Sequence, residues 1–279
     1  MADSSIDGKA IKNIQRSVLH TLSQTTPTVQ HIQRLLSHTS TLDTTLLTLT
    51  YTLSLLKSLL PHLPATASLK SALPPLLAIL SEYRILLRLP GLLSIYTGAV
   101  AGYLSPPKDR LLRAVALAQL VSIAAFQGLE NAAFLADKGV LKWKPGRSGK
   151  AWMWSCRAWM VYVGLELGKL GYEYQSRTVK SPVEGEDKGI QEQQIGEGIL
   201  STEMVDIDQE DTELERKAAA REEKEWLARW KTRVGVNAAY APMTVHYSFE
   251  NGFLSDQSKA ALGCIVAWLT FGDAWRKTA

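Results

Sequence analysis

The chain has 279 residues, 46% of them apolar, and a net charge of +4, enough for one or two domains with a sizeable core. Its two cysteines, Cys156 and Cys264, are solitary and distant, which argues against a disulfide framework or a cysteine zinc site. The charge is segregated: residues 183–225 carry fifteen acidic and five basic side chains, leaving a net of +14 on the remainder. A basic body with an acidic insert suits an anionic membrane surface. Nucleic acid is not an expected partner, because the basic residues are scattered between apolar stretches and no helix-turn-helix, RNP or zinc signature is present.

Residues 1–40 are polar, with weak helical patterns over 11–22 and 29–36. The first fifteen include Asp3, Asp7, Lys9 and Lys12 without an apolar core, so they do not read as a secretory signal. Next, Leu42, Leu46, Leu49, Leu53, Leu56 and Leu60 recur every three or four residues. At about 100° per residue they form a stripe roughly 80° wide. Thr41, Thr44, Thr45, Thr48, Thr52 and Ser58 lie off that stripe, and Asp43 and Lys57 are the segment's charges. Such a helix suits a bilayer with loosened headgroup packing. On periodicity alone, the core-facing helix of a soluble bundle is the commoner outcome.

Pro61 and Pro64 close that helix, and a second is expected over 75–89, with Arg84 and Arg88 one turn apart. Residues 89–107 contain no charge over nineteen positions, close to the length of about 20 that a spanning helix needs. Gly98 and Gly102 inside it form a small-residue packing motif if the segment is in a membrane. The run Ser105-Pro-Pro-Lys-Asp109 breaks the chain and restarts a helix over 111–136, with Ala124, Gly128, Ala132 and Ala136 stacked on one side. A basic loop follows, containing Lys138, Lys142, Lys144, Arg147 and Lys150. Residues 151–174 carry Trp152, Trp154, Trp159, Tyr162, Tyr172 and Tyr174, which suit an interfacial or bundled helix. The acidic, Gly-containing stretch 176–215 reads as a disordered linker. A charged helix then leads through Trp226 and Trp230 to a final hydrophobic region, in which 253–275 is a second candidate span.

Chemistry is not visible. Gly146-Arg-Ser-Gly-Lys-Ala151 lacks the glycine spacing and the hydroxyl of a phosphate loop. His20, His31, His38, His62 and His246 have no ligand spacing, and His246 is expected to pack beside Tyr247. No nucleophile is paired with a base, so no enzyme, cofactor or metal is expected. Glu130, Asn131 and Glu166, set in apolar helices, are expected to hydrogen-bond neighbouring helices.

Two blocks share a theme: Gly128-Leu-Glu-Asn-Ala-Ala-Phe-Leu-Ala-Asp137 and Ser248-Phe-Glu-Asn-Gly-Phe-Leu-Ser-Asp256. The first follows Ser105-Pro-Pro-Lys-Asp109 and closes with Lys138-Gly-Val-Leu141; the second follows Asn237-Ala-Ala-Tyr-Ala-Pro-Met and precedes Asp273-Ala-Trp275. Together with Arg84-Ile-Leu-Leu-Arg-Leu89, this order resembles the peroxisomal biogenesis factor 11 (peroxin-11) family, in its divergent fungal branch. The resemblance covers roughly residues 40–175 and 225–276. It implies a peroxisomal membrane protein that elongates the membrane before fission, through self-association and an amphipathic N-terminal helix, with the fission machinery as partner. The helix departs from the family pattern, since Thr stands where Lys and Arg are usual. The C-terminal Arg276-Lys-Thr-Ala279 is not a Ser-Lys-Leu address, so targeting would need an internal signal.

The expected fold is an all-α, membrane-associated helical bundle with amphipathic N-terminal helices and one or two spanning helices. Its expected divisions are 1–40, a helical region 41–175, the linker 176–215 and a C-terminal helical region 216–279. Leu42, Leu46, Leu49, Leu53, Leu56 and Leu60 are expected to enter the membrane. Arg84, Arg88, Lys142, Lys144 and Arg147 are expected to hold headgroups of the peroxisomal membrane lipids, at about 1 kcal/mol each. Gly98, Gly102, Gly128 and Ala132 are expected to pack helices. The alternative reading is a pore for small metabolites, lined by Glu130, Asn131, Arg157 and Glu166.

Overall fold

A computed structural model describes residues 4–60, 67–180 and 202–278. Among these the chain is all-α: α1 Ser4–Ser37, α2 Thr39–Leu59, α3 Ala67–Arg88, α4 Gly91–Leu104, α5 Arg110–Asp137, α6 Arg147–Lys180, α7 Thr202–Tyr247 and α8 Asp256–Thr278. The ends of the stretch expected as a linker are helical, since α6 reaches Lys180 and α7 begins at Thr202. The middle of that stretch, 181–201, lies outside the described residues, as do Pro61, His62 and Pro64. α3 starts earlier than expected, with Pro74 and Pro75 inside it on an exposed side. There a carbonyl that lacks its helical N–H partner can turn to solvent.

The core sits where α2, α7 and α8 meet. Leu47, Ala239, Val266 and Ala267 are buried together, with Tyr51, Val236, Tyr240 and Leu262 packed around them. Thr48, on the side of α2 away from the six-leucine stripe, is buried and donates to the Ala267 carbonyl at 3.3 Å. Gly263 lies under the Tyr51 ring so closely that a Cβ there would overlap it. These contacts show that α2 is apolar on two sides. Leu47, Tyr51 and Leu55 lie roughly opposite the stripe and make α2 a central helix of the bundle.

A second layer is the antiparallel pair α5–α6, joined to the core through α7. Phe126, Trp159 and Tyr240 form a chain of rings with centroids 5.9 and 4.9 Å apart. Trp230 Nε1 donates to the Leu170 carbonyl at 3.0 Å, and Arg157 Nε to the Ser248 carbonyl at 3.1 Å, fixing α7 along α6. The α5 termini follow from the sequence. Asp109 caps the start, accepting from the Leu111 and Leu112 amides at 2.7 and 3.2 Å. Gly139, at φ 76°, closes the end: its amide bonds the Ala136 carbonyl, and the Val140 amide bonds that of Leu135.

The two Glu-Asn/Phe-Leu blocks do not form a structural repeat. The first is helical within α5, whereas Glu250 and Asn251 sit exposed in the turn between α7 and α8. Segment 253–275 forms most of α8, whose Ala260, Gly263, Val266, Ala267 and Ala274 are buried against neighbours. It is therefore a core helix, and among the described residues it is not one of those long and apolar enough to cross a membrane.

The small-residue positions separate cleanly. Gly263→Ala is expected to destabilise the fold by about 1–3 kcal/mol through overpacking. Gly98→Ala, which meets nothing within 4 Å, is expected to be neutral or stabilising by about 0.5–1 kcal/mol. Denaturant unfolding of the purified protein followed by circular dichroism checks both, and equal effects would contradict this packing.

Candidate membrane-docking site

α5 is inverted with respect to an ordinary soluble helix. Its buried residues are Gln119, Ser122, Gln127, Glu130, Ala133 and Phe134, four of the six polar. Its exposed side carries Leu117 and Val121, 63% and 62% accessible, with Ala114 and Ala125 beside them. The 100° periodicity sets these two groups on opposite sides of the helix. Among the described residues, α5 is the one helix long and apolar enough to cross a membrane by itself. At 28 residues it is about 42 Å long.

The buried polar side is satisfied by specific partners. Arg88 Nη2 donates to Glu130 Oε1 at 2.9 Å and its Nε to Oε2 at 3.2 Å, joining α3 to α5. The Asn131 amide donates to the Leu89 carbonyl at 3.0 Å and accepts from Gln127 Nε2 at 2.8 Å. Further along, Gln119 Nε2 donates to Glu166 Oε2 at 2.8 Å, and Arg233 Nε donates to Glu166 Oε1 at 3.0 Å. That carboxylate therefore links α5, α6 and α7. Burial pushes the Glu166 carboxyl up, but the hydrogen bonds from Gln119 and Arg233, with the charges of Arg233 and Lys169, outweigh it and hold it below 4.5. No buried side-chain nitrogen or oxygen among the described residues lacks a partner.

The Arg88–Glu130 and Asn131–Leu89 contacts also fix where α4 begins. The α3 and α4 axes are bent by 41° at the Leu89–Pro90 break, and together the two helices are long and apolar enough for one broken span. The uncharged stretch 89–107 is thus mostly α4, whose 14 residues measure about 21 Å, short of a bilayer core of about 30 Å. α4 buries none of its residues. Leu93 is 70% and Tyr103 85% exposed, and Tyr96 and Leu104 are nearly as open. The short break 105–109 returns the chain antiparallel to α4 as α5. The result is an apolar hairpin in which α5 packs along α6 and α4 lies open on the outside.

The expected site residues are divided by the fold. Leu60 is buried, Leu49 is exposed, and Leu42, Leu46, Leu53 and Leu56 are half-buried within the bundle. Arg84 is paired with Asp43 at 2.9 Å and Arg88 with Glu130, which engages both guanidinium groups internally. Lys142 and Lys144 are exposed in the loop after α5, and Arg147 sits 5.2 Å over the Trp143 ring. Gly98 and Gly102 are exposed, and neither they nor Gly128 meets a close neighbour where a Cβ would stand; Ala132 is half-buried in α5. His246 packs edge-on to Tyr247 with centroids 5.0 Å apart, as its position suggested. Burial pushes the Cys156 thiol up to about 11, which disfavours the thiolate a nucleophile needs. Leu117 and Val121 lie in a segment, 111–136, whose sequence pattern is dominated by its small residues, so their exposure does not show in one dimension. The polar row Gln119, Ser122, Gln127 and Glu130 on one side of an otherwise apolar helix was the available signal.

A carboxylate held below its unfolded value contributes stability that is present above 4.5 and is lost as the pH falls through the lowered folded value. Glu166→Gln is therefore expected to lower stability at neutral pH and to flatten the acid limb of the stability curve. Thermal unfolding in detergent across that range checks this, and an acid limb identical to wild type would overturn it.

Comparison of the chain with protein-family models, with curated proteins and with solved structures finds no match.

Proposed function

We propose that this chain is a membrane protein whose α4–α5 hairpin enters the bilayer, and that its insertion bends and elongates the membrane. The observation that supports this best is the inversion of α5, apolar outward and polar inward. In water, exposing Leu117, Val121 and the whole of α4 would forfeit about 25 cal/mol for each Å² left unburied. In lipid the same surface is at home, and paired polar groups inside the bundle add helix–helix specificity. Lys142 and Lys144, in the loop at the end of α5, stand ready for anionic headgroups.

The hairpin replaces the leucine stripe of α2 as the inserting element. A wedge built from Leu42, Leu46, Leu49, Leu53, Leu56 and Leu60 would first have to uncover Leu60, which is buried, and Leu42, Leu46, Leu53 and Leu56, which are half-buried, whereas α4 needs no such opening. Location in the peroxisomal membrane, self-association and transfer of elongated membrane to the fission machinery rest on the resemblance to the peroxin-11 family. A pore finds less support. Glu130, Asn131, Arg157 and Glu166 are each tied to a neighbouring helix.

Full-length protein is expected to float with vesicles of phosphatidylcholine and phosphatidylserine and to draw them into tubules visible by electron microscopy. Each carboxylate placed at membrane depth costs about 2–3 kcal/mol, so Leu117→Glu with Val121→Glu should weaken vesicle binding by about a thousandfold. Leu49→Glu should leave it nearly unchanged. Wild-type flotation and tubulation by the double variant would refute the hairpin.

A further inference from the structure

α4 and α5 leave a space between them near the turn that joins them. Between them lies a groove of about 700 Å³, within the range of small-molecule pockets. Its walls are Gly98, Gly102 and Tyr103 from α4 and Ala116, Leu117 and Leu120 from α5, all without charge. Gly98 and Gly102 widen it, because no atom lies within 4 Å of where their side chains would begin. A small-residue row that packed helices would instead meet a neighbour, as Gly263 does.

The mouth of the groove is cationic. Arg113 lines it and donates Nε and Nη2 to the Pro107 carbonyl at 3.3 and 3.1 Å, which anchors the guanidinium there. Lys108 and Arg110 are exposed within five residues of it. The acid in this stretch, Asp109, is already committed. One carboxylate oxygen caps α5, and the other accepts from the Tyr172 hydroxyl at 2.6 Å. An apolar slot with cations at one end matches an amphiphile with an apolar tail and an anionic head.

We propose that the α4–α5 groove holds one acyl chain of an anionic phospholipid, with its phosphate at Arg113 and Lys108. This rests on the membrane reading above and assigns that surface a specific ligand. The bound chain would fill the space that the two helices leave between them and would anchor the hairpin to an anionic leaflet.

The test uses full-length protein in mild detergent, titrated with phosphatidylserine or phosphatidylcholine and followed by native mass spectrometry. One phosphatidylserine per chain is expected, preferred over phosphatidylcholine by about fivefold, the effect of one cation near an anionic headgroup. Arg113→Gln should remove the preference. Gly98→Leu with Gly102→Leu should abolish the bound lipid while leaving flotation on phosphatidylserine vesicles intact. Retention of the lipid by the filled-groove variant overturns the proposal, as does its displacement by inorganic phosphate alone or a wild-type dimer that carries no lipid. Loss of flotation by wild-type protein would instead strike the membrane reading itself.

Discussion

The Glu130 carboxylate is the constraint around which this molecule is arranged. Buried charge is tolerated only when paired and hydrogen-bonded. Glu130 meets that demand by taking two donors from Arg88, at the end of α3. The next residue, Asn131, holds the Leu89 carbonyl at the same corner. Two adjacent side chains on α5 thereby fix the end of α3, the 41° bend and the starting point of α4. Because α5 must turn these groups inward, its apolar side has to face out.

A second carboxylate, Glu166, does for α5, α6 and α7 what Glu130 does for α3 and α5. The two polar junctions differ in kind from the α2–α7–α8 core, which is assembled from Leu47, Ala239, Val266 and Ala267 with a glycine under a tyrosine ring. One part of the bundle is thus held by apolar burial, as in a soluble domain. The other is held by paired polar groups with apolar surface outside, the arrangement that a lipid surrounding favours.

The resemblance to the peroxin-11 family rests on short blocks, and the fold gives those blocks unequal roles. Glu130 and Asn131 of the first are buried and structural, while Glu250 and Asn251 of the second sit in an exposed turn. Likeness of letters at the two places therefore reflects different physics. The Arg84 to Leu89 block, by contrast, is spent on the junctions themselves, with Arg84 on Asp43 and Arg88 on Glu130. Its arginines serve the fold rather than the headgroups.

The sequence by itself determined the helical class, the breaks at 105–109 and near 250, and the termini of α5. Each of these follows from local chemistry, such as the Asp109 cap and the left-handed Gly139. It also carried the polar row on α5, which periodicity alone can display. Tertiary structure decided the rest. Leu47 and the six-leucine stripe both lie on α2, and only the docking of α8 shows which side closes the core. Arg84 and Arg88 look free in one dimension, because their acidic partners are more than forty residues away. Gly98 and Gly263 are the same residue type in similar apolar runs, yet one faces open space and the other a ring. Local sequence sets where helices begin and end, whereas partners distant in the chain set which of their faces remain exposed.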